Sequence, residues 1–312
     1  EKNWIQWYRD VQQKYSITPY VHIDNPDPFV TQVRYQSGSA GTEMLLFINS
    51  STEKEHRMNL EIHKDIASGR QAWVWDAVTG ERWRIGGKQM GAGRTQVGSE
   101  ASRMVPGSMQ AASGEKQVGP NWTRMGSGAF QIALDLGPAE SLLLVFDREK
   151  KGLPWRPAPV AGVSGGGLSV NGAWTAEFRH IDGTVKTAEL AGLKDLKDMP
   201  EWVNFSGTVI YRATVSVEGP RPSWLNLGKV VGVSEVALNG KSLGVQWYGR
   251  RIFALGDVWQ TGKNLLEVKV VTSMGNYMKT LKDNPVAQYW TNEKRKDQPI
   301  QSMGLIGPVT IY

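Results

Sequence analysis

Apolar and polar residues alternate along most of this chain, with the two-residue period that sends successive side chains to opposite faces of a β-strand. Val30-Thr31-Gln32-Val33-Arg34-Tyr35, Glu43 to Asn49, Arg57 to His63, Gln71 to Asp76 and Phe130 to Leu136 follow it, and Ser141 to Phe146 reads as a buried strand. The pattern returns in Trp174 to Phe178, Thr208 to Val217, Trp224 to Leu227, Val233 to Leu238 and Asn264 to Val271. Thr79-Gly80, Asn239-Gly240 and Thr261-Gly262 punctuate these runs as tight turns, because glycine accepts the positive φ such turns need. One helix is expected, over Trp4 to Lys14, and no helix-period segment of useful length separates the later strands. Parallel α/β architectures need a crossover helix between strands, so the prediction is all-β: two antiparallel β-sandwich domains.

Breakers set the boundaries. Residues 1–28 form a lead-in that ends at Pro26 and Pro28, and residues 29–149 form the first sandwich. Within it, Gly86 to Gly128 is rich in Gly, Ser, Gln and Met and predicts long loops or short edge strands. Residues 150–167 hold Pro154, Pro157, Pro159 and Gly165-Gly166-Gly167, a linker composition, and residues 168–312 form the second domain. Gly207, Gly228, Gly240, Gly244 and Gly262 are expected at its tight corners.

Composition narrows the function classes. A chain of 312 residues with 35 Gly and 15 Pro suits two turn-rich domains. No apolar stretch reaches the ~20 residues of a membrane span, so no membrane-spanning partner role is expected, and Glu1-Lys2-Asn3-Trp4 lacks the apolar centre of a signal peptide. The chain starts without Met, as a processed or excised piece does. With no Cys, disulfides, thiolate metal sites and cysteine nucleophiles are excluded. The net charge of +6 is scattered, and its densest piece, Lys294-Arg295-Lys296, is flanked by Glu293 and Asp297 as in a solvated loop. Nucleic acid is not expected as a partner; an anionic-polymer-binding module is the lesser alternative, and it predicts steep salt dependence.

Motifs of enzyme chemistry lack their frames. Gly162-Val163-Ser164-Gly165-Gly166 matches a nucleophile elbow in letters, but neither the strand before it nor the helix after it is present in the pattern. Gly91-Ala92-Gly93-Arg94 lacks the Lys-Ser/Thr of a phosphate-cradling loop. His22, His56, His63 and His180 are isolated, so no metal site through histidine is expected. The 13 Trp residues carry more information. Trp174, Trp202 and Trp224 sit in strand patterns and read as core, whereas Trp247, Tyr248 and Trp290 fall in predicted loops. Beside them stand Arg250, Arg251, Asn276, Gln288 and Asn292. Flat rings next to hydrogen-bonding side chains suit the apolar faces and hydroxyls of a pyranose, so these eight residues are the candidate carbohydrate-binding set. The competing expectation is that such loop aromatics pack on their own domain or on a neighbouring one.

Trp202 to Tyr211 (WVNFSGTVIY), Leu225 to Gly244 (LNLGKVVGVSEVALNGKSLG) and Gly262 to Val270 (GKNLLEVKV) resemble the galactose-binding-like, sugar-binding jelly roll carried by glycoside hydrolases of the family 2 type. The order of Trp75-Asp76-Ala77-Val78-Thr79-Gly80-Glu81, the Leu-Leu-Leu-Val-Phe strand, the jelly roll and Ser302 to Val309 resembles the C-terminal portion of glycoside hydrolase family 106, the α-L-rhamnosidase family. Trp247 to Arg251 departs from it by replacing a proline-rich stretch, and Met274 to Met278 by replacing a more aromatic one. The resemblance implies a non-catalytic accessory region of a periplasmic or extracellular bacterial enzyme. Its partners would be a plant or host glycan and the parent's catalytic barrel, which carries the reacting carboxylates. Purely structural bracing of that parent is the alternative. No carboxylate pair here stands out as the two that glycoside hydrolysis needs, and no catalytic residue is assigned. No cofactor is expected, although the resemblance leaves room for a structural calcium ion held by oxygen ligands.

Overall fold

A computed structural model describes residues 3–37, 41–77, 80–85, 122–124 (backbone only), 129–149, 151–152, 167–219, 221–290 and 299–312. Thr79, most of the Gly86 to Gly128 region with Gly91 to Arg94, all but three residues of the expected linker with its Gly162 to Gly166 motif, Asn292, the Lys294 to Lys296 run and the side chain of Trp290 lie outside it. The chain divides into two compact units, Glu1–Val160 and Ala161–Tyr312.

In the first unit one sheet is built from β2 (Val30–Ser37), β3 (Thr42–Asn49), β5 (Gln71–Trp75), β6 (Arg82–Arg84) and β9 (Ser141–Asp147), in the order β2-β3-β9-β5-β6. A second combines β1 (Val21–Ile23), β4 (His56–Ile62), β7 (Trp122–Arg124) and β8 (Phe130–Leu136), in the order β1-β4-β8-β7. All pairings are antiparallel. The inner residues of both sheets, among them Leu45, Phe47, Leu144 and Phe146 from one and Leu60, Ile62, Ile132 and Leu134 from the other, share one core. Burying each contributes about 1.5–3 kcal/mol. The expected hairpin forms, with Trp73 opposite Arg84 and Trp75 opposite Arg82. Glu43 and Asn49 also face inward on β3. Arg34 grips the Glu43 carboxylate with Nε and Nη2 at 2.9 and 3.0 Å, and Gln36 adds a third bond at 2.9 Å.

The expected lead-in takes part in this fold. Trp4–Lys14 is helix α1, capped by the Asn3 side chain, and Val21–Ile23 pairs with Leu60 to Ile62. A strand of three residues is too short to show a period, so only its pairing reveals it.

The second unit has a six-stranded antiparallel sheet made of β11 (Trp174–His180), β12 (Val185–Leu190), β13 (Gly207–Ser216), β16 (Val233–Leu238), β17 (Lys241–Gln246) and β19 (Lys263–Val271). Their order is β12-β11-β13-β19-β16-β17. A four-stranded sheet of β10 (Leu168–Ser169), β14 (Trp224–Asn226), β18 (Ile252–Ala254) and β21 (Thr310–Ile311) runs β10-β21-β14-β18, and β15 (Lys229–Val231) pairs with β20 (Gly304–Gly307). Trp174, Phe178, Val209, Tyr211, Val268 and Val236 meet Leu225, Phe253, Leu305 and Ile311 in one core, which makes this unit an antiparallel sandwich as well. The five glycines expected at corners all have positive φ. At Gly207 a Cβ would run into the Arg179 carbonyl of the paired strand, so no other residue fits there.

The outer face of the six-stranded sheet carries a ladder of charge. Glu177 bridges Arg179 and Arg212, Arg212 reaches Glu267 at 2.8 Å, and Lys269 pairs with Glu235 at 2.9 Å. Exposed Val185, Val233, Val245, Leu265 and Val271 lie among these pairs.

Candidate functional site

Strand register places the candidate residues of the second unit. Gln246, the last residue of β17, lies opposite Ser234, and Val233 lies opposite Val271, the last residue of β19. The loop Trp247 to Arg251 and the segment after β19 therefore leave the six-stranded sheet at the same end. Gln246 Nε2 donates to the Ile252 carbonyl at 2.7 Å across the base of that loop. Trp247 stands out from it at 63% exposure, with half-buried Tyr248 packed edge-on at a ring separation of 4.7 Å. That pair offers the ring surface a sugar face needs.

Arg251 turns the other way. It is buried and donates from Nη1 to the Gly249 carbonyl at 2.9 Å and from Nη2 to the Gly232 carbonyl at 3.4 Å, which ties the loop to the start of β16. Burial pushes its guanidinium pKa down. Arg250 is half-buried beside it.

Asn276 is fully buried in helix α2 (Gly275–Met278). Its side chain donates to Val203 O at 3.1 Å and Gln301 O at 2.9 Å and accepts from Gln301 N at 2.9 Å, so its amide holds neighbouring backbone together. Gln288 and Trp290 were expected in a loop but belong to helix α3 (Pro285–Trp290). The cause is a start signal: Asn284 Oδ1 accepts from the backbone of Val286 and Ala287 at 3.0 Å each, ahead of a proline in the first turn. Gln288 Nε2 then donates back to Leu281 O at 2.8 Å. Trp247, Tyr248, Arg250 and Arg251 are thus brought together by one loop, while Asn276 and Gln288 bind their own backbone.

Two features escape a reading by pattern. His180, at the same end of the sheet, packs edge-on against Tyr277 at 4.7 Å and Phe205 at 5.5 Å. In the first unit, α1 and β1 enclose a groove of about 360 Å³ lined by Trp4, Ile5, Tyr8, Arg9 and Gln12 on one side and by His22, Asp27 and Gln32 among others on the opposite side. Among the described residues no group of three or more His, Asp or Glu is placed to hold a metal ion, and no helix is long and apolar enough to cross a membrane.

No family model matches this chain. A solved structure of a rhamnosidase from Novosphingobium sp. PP1Y superposes on 97% of it with a TM-score of 0.59 and 21% identity, which shows a common fold, and the match takes up 26% of that protein. A "Putative beta-glucuronidase" from Formosa agariphila is 33% identical over 117 residues, 35% of this chain and 10% of that protein. The chain therefore spans about a quarter of the solved relative and matches a tenth of the curated one, and its likeness is to glycoside hydrolases.

Proposed function

We propose that this chain is the non-catalytic C-terminal accessory region of a family 106, α-L-rhamnosidase-like glycoside hydrolase, acting in the periplasm or outside the cell. Its second unit is read as a galactose-binding-like jelly roll that meets a plant or host glycan through Trp247, Tyr248 and Arg250. In this reading Arg251 and Asn276 fix the backbone around the contact. The observation that carries the proposal is the likeness of fold over 97% of this chain to 26% of a rhamnosidase. The exposed Trp247–Tyr248 pair supports the binding role.

The test is calorimetry of the 312-residue chain against a panel of plant and host glycans. Binding is expected, weakened about tenfold by Trp247→Ala, with thermal unfolding unchanged because the indole is largely exposed. Absence of heat with every glycan would remove the binding role. Turnover of aryl rhamnosides by the purified chain alone would overturn the non-catalytic one.

A purely bracing role is the second reading. It is favoured by the exposed valines and Leu265 on the outer face of the six-stranded sheet, an apolar surface of the kind that protein partners cover.

A further inference from the structure

We infer that the groove between α1 and β1 in the first unit is a second carbohydrate site, built for an uncharged pyranoside and independent of the Trp247 loop. Helix α1 has 11 residues and buries none of them, although short helices depend on tertiary packing for their stability. Trp4 and Tyr8, one turn apart on the same face, are 66% and 54% exposed and both line the groove. Trp4 also packs edge-on against Trp7 at 5.8 Å, and the two rings that Trp4 and Tyr8 bring to the lining offer flat apolar surface for the C–H faces of a sugar ring.

The opposite wall supplies polar groups. Asp27 Oδ1 accepts a hydrogen bond from Phe29 N at 2.9 Å and lies 3.2 Å from His56 Nε2. Gln32 Oε1 is buried and has no hydrogen-bond partner among the described residues. A buried acceptor left unpaired is costly, and a hydroxyl donor relieves it. Arg9 and Asp27 put one charge of each sign into the lining, which selects against a strongly anionic or cationic ligand and for a neutral polyol. A groove of about 360 Å³ falls within the range of small-molecule sites, and its aromatic wall faces a hydrogen-bonding one as sugar recognition requires.

The experiment titrates the intact chain and its variants with the methyl pyranosides of glucose, galactose and rhamnose and with cellobiose, by calorimetry and saturation-transfer NMR. At least one of these sugars is expected to bind, with affinity kept in Trp247→Ala and lowered about tenfold or more in Trp4→Ala and in Tyr8→Ala. Gln32→Leu separates binding from folding. It is expected to weaken the sugar about fivefold while leaving the thermal midpoint unchanged or raised, since it removes an unsatisfied acceptor. If none of these sugars binds, the inference is overturned. It is overturned equally if affinity is lost at Trp247 and kept at Trp4, a result that would instead uphold the loop of the second unit. A chain that binds no sugar but forms a dimer dissolved by Trp4→Ala would reassign the groove to self-association.

Discussion

The two units place their polar groups in opposite ways. In the first, an ionised side chain lies inside: the Glu43 side chain is 2% exposed and held by Arg34 and Gln36. In the second, the Glu177–Arg212–Glu267 ladder lies on the outer sheet face, and the buried polar residues Asp195, Arg251, Asn264 and Asn276 bind mostly backbone. The lesson is that a buried carboxylate gripped by an arginine at the surface ties two neighbouring strands to each other, whereas a buried amide or carboxylate on backbone fixes segments remote in sequence. Asn276 joins Val203 to Gln301 in this way, and Asp195 holds Met303.

Breaking the pair that holds the buried Glu43 carboxylate is expected to have the largest effect. Arg34→Ala leaves the Glu43 carboxylate without its cation and should lower stability by about 3 kcal/mol in urea denaturation, while the double change Arg34→Met with Glu43→Leu should recover most of the loss. If the single and double variants are equally unstable, the pair is not what holds that strand edge.

Asn276→Ala comes next, with an expected loss of about 2 kcal/mol, because it leaves the backbone groups of Gln301 and Val203 without their amide partner. An unchanged melting temperature would show that solvent reaches those groups.

Asp195 gives the comparison a pH signature. Burial raises its carboxyl pKa, but hydrogen bonds from Met303 N–H, Ser302 and Lys197 N–H, with the Lys197 charge, outweigh burial and hold it below the ordinary 3.8. The folded pKa is the depressed one, so this contribution is fully present above the unfolded value and is lost as pH falls through the folded value. Stability measured from pH 6 downward should therefore fall below about pH 4, and Asp195→Asn should flatten that part of the curve. A variant that keeps the full acid slope would assign it to other carboxylates.

The smallest effect belongs to the outer ladder. Glu267→Ala should cost about 0.5 kcal/mol at low salt and less at high salt, since these partners are partly exposed. A loss as large as that of Arg34→Ala would erase the distinction between the two units.

What the chain disclosed in advance follows the same division. Alternation located β13 and β19 to within a residue or two, because there most second side chains enter a core, and the turn signal at Gly80 located the Trp73 hairpin. It placed Glu43 in a strand without marking it as buried, since a charged residue inside is stabilised by Arg34 on another strand, which no local period encodes. Asn276 and Gln288 read as loop donors for a sugar, yet their partners are backbone groups supplied by other segments or by the preceding turn. The α1 groove was hidden for a related reason: the sequence marks Trp4 to Lys14 as a helix, and only the fold shows Trp4 and Tyr8 uncovered and lining a groove.

The small sheet of the second unit has a kinetic consequence. Its strand β21 is inserted between β10 and β14, so that Ile311 sits opposite both Leu168 and Leu225. Neighbouring pairs such as β11 with β12 and β16 with β17 close short loops and can assemble early, but this three-way junction must wait for ends brought together from the far extremes of the segment. A ribosome making this polypeptide would hold the second sandwich open until the residues around Thr310 had emerged, and refolding from denaturant should show the four-stranded sheet as the slow event.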